Sequence, residues 1–286
     1  MTPEQLRVFV AVAEMEHMTR AARSLNMTQS TASASISALE ARHQVTLFNR
    51  IGRGIVLTEE GRDFLPEARA VLARLSEAEA MLLETRDLIR GHIRLIASQT
   101  IAGYWLPEKI AAFRKRFPGI KITLGIGNTQ EAMHEVLQGT LDLALVEGEV
   151  SDPRLVKQQI GEDKLCLVYA PNGNEHFSRN ALDQANWVLR EPGSGTRSSA
   201  DAALNKLDFH LPKREVGLVL PSNEAVMSAV EAGAGVTILS AFVVERSLMI
   251  GTLREYDLEL PPRPFYALFH RDHRMSRATK AFFDIF

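Results

Sequence analysis

The sequence predicts an α/β protein with a helical head. Three observations carry that reading: two capped helices meeting at a tight turn over residues 19–39, an apolar seam over residues 58–90 with one polar gap, and alternating strand and helix patterns from Gly91 onward. In the head, Thr19 caps a short helix whose apolar turn is Ala21, Ala22 and Leu25; Asn26 and Met27 break it, and Thr28 caps the next. On that second helix Ala32, Ile36 and Leu39 fall within a narrow arc at 3.6 residues per turn, while Ser30, Ala34 and Ser37 lie opposite and Ser33 to one side. A helix with a small, polar outer face can lie deep in a DNA major groove. Thr28, Gln29, Ser30, Thr31, Ser33 and Ser37 are therefore the candidate contacts to base edges and phosphates. Val45, Leu47 and Phe48 lead to Arg50, and Gly52 and Gly54 punctuate a turn before Ile55, Val56 and Leu57, which reads as a wing edged by Arg50 and Arg53. The residues alone also fit a helical hairpin that only packs or dimerises.

From Thr58 to Arg90 no strong turn signal follows Gly61, and Phe64, Ala68, Val71, Leu75, Ala78, Leu82 and Ile89 recur in steps of four and three, with Thr85 in the one polar gap. Such a seam asks for a partner helix. At 1.5 Å per residue the segment would run about 45–50 Å, which favours a dimerising linker, with a kink at Pro66, over a helix folded back on its own chain. Gly91 ends it.

Beyond Gly91 the chain reads as strand His92–Ala97, helix Trp105–Phe117, strand Lys121–Ile126, helix Glu131–Gln138 and strand Leu141–Glu147. That βαβαβ order predicts a parallel sheet with ligands at the carboxyl ends of its strands. Strands Lys164–Ala170, Trp187–Arg190 and Glu215–Leu220 and helices Ser198–Leu207 and Glu224–Ala232 form a second unit, and strand Tyr266–His270 and helix Ala278–Phe286 close the chain.

Composition is that of an ordinary soluble globular chain of about two domains: 286 residues, 45% apolar and 24% charged, with a net charge of −2. Residues 1–58 depart from this balance, with six arginines against four glutamates, a mild electrostatic footprint for phosphate contact. Cys166 is the single cysteine, which excludes an intramolecular disulfide and a multi-cysteine metal site. Glu4 and Arg7 stand where a signal peptide would be apolar, and no apolar run reaches membrane-spanning length; a cytoplasmic protein without a membrane partner is expected.

The ordered, ungapped run from Phe9 through Ala21-Ala22, Leu25, Gln29, Ser33, Ile36, Leu39-Glu40, Leu47-Phe48, Arg50, Arg53 and Leu57-Thr58 to Gly61 resembles the DNA-binding domain of LysR-type transcriptional regulators. His43-Gln44 stands where that family usually has Leu-Gly, and Ser35 where Gln is common. The resemblance extends more loosely over the rest and implies a periplasmic-binding-protein-like body of two lobes crossed twice by the chain. The expected division is a winged helix-turn-helix at 1–58, a dimerising linker at 59–90 and an effector-binding domain at 91–286. Its lobe one is 91–162 plus 268–286, and its lobe two 163–267. The family further implies a homodimer reading an interrupted palindrome of double-stranded DNA, a tetramer through lobe-to-lobe contacts, and RNA polymerase as a partner.

Candidate effector residues gather at strand ends. Ser98-Gln99-Thr100 follows the first strand of lobe one and Asn128-Thr129 the second, so hydroxyls and backbone N–H groups can converge on an anion; plain helix capping is the competing account. In lobe two, Glu191-Pro192-Gly193-Ser194-Gly195-Thr196-Arg197 links a strand to a helix. Gly193, Ser194, Gly195 and Thr196 could form an oxyanion nest with Arg197 as counter-charge, or a turn and cap. It is no dinucleotide fingerprint, because Ser198 replaces the third glycine. Glu147 could pair with Arg197 or lie solvated. No nucleophile turn, metal cluster or cofactor motif is visible, so a regulator answering to a small anion, a carboxylate or inorganic oxyanion, is expected, with a solute-binding or enzymatic two-lobe protein bearing a helical dimerisation head as the alternative. Ser98-Gln99-Thr100-Ile101-Ala102 and the 191–197 loop are similar to regulators of sulfur assimilation and carbon fixation.

Overall fold

The computed structural model describes residues 1–51, 54–83, 91–171, 185–206, 216–273 and 275–286. The chain forms two compact units, one centred on Met1–Arg86 and the other on Asp87–Leu137 and Leu141–Phe286.

The first unit contains α1 (Pro3–Met15), α2 (Met18–Ser24), α3 (Gln29–His43), β1 (Phe48–Ile51), β2 (Gly54–Leu57) and α4 (Glu59–Leu83). Helix α1 starts at a reciprocal cap between Thr2 and Gln5. The α2 cap is His17, not Thr19: its Nδ1 accepts the Arg20 N–H at 3.4 Å, which starts the helix two residues earlier than the Thr19 signal suggested. Asn26 takes the left-handed conformation at φ 56°, and Thr28 then caps α3 by accepting the Thr31 N–H at 3.2 Å. Ala32, Ile36 and Leu39 are buried with Phe9, Val12, Ala21 and Ala22, so the arc read from the sequence is the one that packs. Strands β1 and β2 pair antiparallel, Phe48 opposite Leu57, to make the wing. Glu40 fixes the wing to α3, its Oε1 accepting the N–H groups of Leu47 at 2.7 Å and Phe48 at 3.2 Å.

Helix α4 runs through Pro66 as one assigned helix. The seam expected along it divides. Phe64 and Ala68, with Leu65 and Leu72, pack into the first unit's own core, whereas Val71 and Ala78 are exposed and Leu75 is half-buried. Thr85 and Ile89 lie outside the described residues.

The second unit holds two sheets. Lobe one contains β3 (Gly91–Ala97), α5 (Leu106–Arg116), β4 (Ile120–Ile126), α6 (Thr129–Leu137), β5 (Leu143–Glu147) and β6 (Leu155–Asp163). Lobe two contains β7 (Leu165–Tyr169), β8 (Trp187–Arg190), α7 (Gly195–Lys206), β9 (Val216–Leu220), α8 (Asn223–Glu231), β10 (Val236–Ser240), α9 (Ala241–Ile250) and β11 (Arg254–Glu255). The chain then returns to lobe one as β12 (Arg263–His270) and α10 (Arg277–Phe283). The sheet orders are β4-β3-β5-β12-β6 and β11-β7-β10-β8-β9.

The strands of the βαβαβ segment, β3, β4 and β5, run parallel as expected, within sheets that are mixed as wholes: β12 is antiparallel to both β5 and β6, and β7 to β10. One expectation needs correction. Lobe one resumes at Arg263, not at residue 268, because Arg263 and Pro264 already pair with Asp163 and Glu162 of β6. Between β3 and α5, residues Ile101–Trp105 form a π-helical turn in which the Leu106 N–H donates to the carbonyl of Ile101.

Candidate functional site

On α3, Thr28, Gln29, Ser30, Thr31 and Ser37 are exposed and Ser33 is half-buried, so the candidate contacts form one accessible face. Thr28 Oγ1 lies 2.8 Å from both Ser30 Oγ and Thr31 Oγ1, a hydroxyl cluster at the helix start. Arg50 is placed by its backbone on β1; Arg53 lies outside the described residues.

In the second unit, helices α6 and α7 begin on opposite sides of a groove of about 320 Å³ between the lobes. Thr129, Gln130, Met133 and Glu149 line it from lobe one, and Pro192, Gly193, Ser194, Arg197, Ser198 and Asp201 from lobe two. Unsatisfied N–H groups of the first helical turn carry partial positive charge, so two helix starts on one groove favour an anion. Asn128 and Glu131 cap α6 reciprocally, at 3.0 and 2.9 Å, so the Asn128 amide is engaged in the helix start. Arg197 donates through Nε to both oxygens of Asp201 and through Nη1 to the Arg190 carbonyl at 3.4 Å.

The lobes are in direct contact at two places, one at the groove and one beyond its lining. At the groove the Gln130 N–H donates to the Gly193 carbonyl at 3.3 Å. A Cβ on Gly195 would sit 2.1 Å from the Glu147 carbonyl oxygen, so only glycine allows this approach. At the second place, outside the groove lining, Asn223, which begins α8 and which the sequence reading missed, joins the lobes. Its N–H donates to Gln99 Oε1 at 2.9 Å and its Nδ2 to Thr100 Oγ1 at 3.0 Å, while buried Arg190 donates to its Oδ1 at 2.6 Å. Tyr104 Oη adds a hydrogen bond to Glu224 at 3.4 Å; burial and that carboxylate raise the phenol above its ordinary range. Ser98 and Thr100 are buried here, away from the groove lined by Thr129 and Ser194. The structure thus separates the two strand-end clusters that sequence reasoning had pooled.

Glu147 does not pair with Arg197. Its carbonyl accepts the Thr129 hydroxyl at 2.8 Å, and its Oε1 accepts from Thr196 Oγ1 at 3.2 Å and from Arg263 Nη1 at 3.4 Å. Arg263 also donates from Nη1 to Thr196 Oγ1 at 3.1 Å and from Nη2 to Asp163, whose other oxygen accepts from Ser240. Burial raises the Asp163 carboxyl above its usual range, outweighing Arg263 and Ser240, and the Glu147 charge adds to the rise. Burial likewise pushes the Cys166 thiol up to about 12, an inert strand residue. No cluster of metal-ligating side chains occurs among the described residues.

Two family models match the chain: "Bacterial regulatory helix-turn-helix protein, lysR family" over residues 3–62, and "LysR substrate binding domain" over residues 86–286. An uncharacterized HTH-type transcriptional regulator of Escherichia coli (strain K12), YeiE, is 36% identical, covering 99% of this chain and 96% of its own. The RuBisCO operon transcriptional regulator of Allochromatium vinosum is 30% identical over 97% and 93% of the two chains. Full-length CbnR, solved in complex with its target DNA, shares the fold with a TM-score of 0.71 at 21% identity, covering 100% of this chain and 98% of its own.

Proposed function

The chain belongs to the LysR family of DNA-binding transcriptional regulators with an effector-binding domain, and we propose that its effector is a small anion, a carboxylate or an inorganic oxyanion, bound between the lobes of the second unit. The observation that carries this reading is the convergence of the α6 and α7 starts on one groove, beside the Thr129 and Ser194 hydroxyls and the Arg197 guanidinium. Asn128 caps α6 at this groove, whereas Ser98, Gln99 and Thr100 belong to the separate contact that Gln99 and Thr100 make with Asn223. The six polar residues of the α3 face read the base edges, and Arg50 and Arg53 add phosphate contact from the wing. The protein acts as a regulator, not as an enzyme, and works in the cytoplasm where its DNA lies.

Assembly follows from α4. Val71 and Ala78 are left exposed and Leu75 only half-covered by their own unit, which supports a homodimer through residues 59–90 that presents two α3 helices to an interrupted palindrome. Tetramer formation through the lobes and contact with RNA polymerase complete the proposal.

Calorimetry of the full chain against acetate, sulfate, phosphate and larger organic acids tests the effector class. Binding of at least one anion is expected, lost in Arg197→Ala with DNA binding intact. Heat from a neutral or cationic metabolite and from no anion would overturn the charge argument.

A further inference from the structure

Asp163, Glu147 and Arg263 are far apart in sequence and all but fully buried, and they meet where the chain passes between the lobes. Asp163 ends β6, two residues before lobe two begins at β7; Arg263 begins β12, the first residue of the return. Glu147 ends β5 of lobe one, and Thr196 and Ser240 belong to lobe two. We infer that Arg263 is the positioning residue that fastens the lobes to each other: its one guanidinium joins the first crossing, the end of β5 and the first turn of α7. The arrangement of the groove is set by a residue that does not line it.

The chemistry supports that assignment. A guanidinium is a planar fork with five donors, so it can hold Asp163 through one nitrogen and both Glu147 and Thr196 through another; an ammonium is a point charge that cannot span all three. Glu147 reaches the groove from the other side, because its carbonyl receives Thr129, a groove-lining hydroxyl. A continuous chain of hydrogen bonds therefore runs from Thr129 through Glu147 and Arg263 to Asp163 and Ser240. Glu147 Oε2 and Arg263 Nε are buried without a hydrogen-bond partner among the described residues. The cluster is thus built around the contacts it does make, and a substitution of its only cation acts on all of them together.

Two backbone amides report lobe closure and lie outside the cluster: Gln130, which donates to Gly193, and Asn223, which donates to Gln99. In amide exchange on the full-length protein, Arg263→Lys is expected to speed both by about tenfold or more, the loss expected for a charge-assisted bond. Leu95 in β3 and Ile238 in β10, inside the two sheets, keep their rates. Should Arg263→Lys fail to fold, the charge-free combination Arg263→Met, Asp163→Asn and Glu147→Gln decides, because it strands no buried charge. It is expected to stay folded and to show the same selective loss. Unchanged rates at residues 130 and 223 in a folded variant would overturn the inference, and so would an equal rise at all four amides.

Discussion

Replacing Gly195 by Ala adds one methyl group where the lobes touch, and the structure sets the size of the effect. The new Cβ would lie 2.1 Å from the Glu147 carbonyl oxygen, about 1.3 Å inside the 3.4 Å at which ordinary contact begins, and 2.5 Å from Thr129 Oγ1. Glu147 cannot give way easily, since it ends a fully buried strand and its carbonyl accepts the Thr129 hydroxyl. Overpacking of this kind costs about 1–3 kcal/mol. Separating the lobes far enough to relieve it would also lengthen the 3.3 Å Gln130–Gly193 hydrogen bond, worth about 0.5–1.5 kcal/mol. The helix-propensity gain of Ala over Gly is at most about 1 kcal/mol and smaller at the first residue of α7. A net loss centred on about 2–3 kcal/mol, within a range of about 0.5–4.5 kcal/mol, is expected. Both tryptophans, Trp105 and Trp187, lie in the second unit, so intrinsic fluorescence during urea unfolding follows this unit. Gly103→Ala, with no atom within 4 Å of its Cβ, is the control and should be unchanged or more stable by up to about 1 kcal/mol, through helix propensity alone. A Gly195→Ala variant as stable as that control would refute the close-approach argument.

Three further outcomes are expected. Gln44 closes α3 at φ 56°, in the left-handed region where glycine carries no penalty, so Gln44→Gly should stabilise the first unit by about 0.5–1 kcal/mol in thermal unfolding; destabilisation would show that the Gln44 side chain matters more than its backbone. Arg50→Ala should weaken binding to specific and random DNA alike and lower the salt slope by about 1, whereas Gln29→Ala should reduce discrimination more than affinity; equal losses on both DNAs for both variants would remove this division of labour. Leu75→Glu places a carboxylate at a half-buried position between exposed Val71 and Ala78 of α4 and should dissociate the dimer in sedimentation, and a full-size oligomer would exclude that face as the seam.

The head was legible in the sequence because its burial follows one period and its start is a local signal: Thr28 caps α3, and Ala32, Ile36 and Leu39 are buried as spaced. Strand Trp187–Arg190 was bounded by contrast in composition and matches residue for residue. Strand β10 and helix α9 were missed because Val236–Ile250 passes from strand to helix without a gap, and the only marker is Ser240, which caps α9 at Phe242. Strand β6 was missed because its middle, Lys157, Gln158 and Gln159, is exposed and polar. The Asp163–Glu147–Arg263 cluster has no local spacing at all, since its members are brought together only by the crossings. One signal was present: Arg263 opens the otherwise apolar run Pro264–Phe269, where a charge needs a buried partner.

The π-helical turn at Ile101–Trp105 sets the phase of everything after it. A π turn carries an extra residue, and each residue of an α-helix turns the chain by about 100°. Thr100 and Ile101, before and at the start of the wide turn, and Leu106 and Phe113, after it, are all essentially buried. Both groups face inward only because the odd residue is accommodated between them. Deleting any one of the five positions would let the turn tighten into ordinary helix and swing Phe113 away from Phe282, with which its ring now packs edge-on. The segment therefore tolerates changes of residue type far better than changes of length, and its single extra residue works as a spacer that keeps the strand-end hydroxyls and the core of lobe one in register.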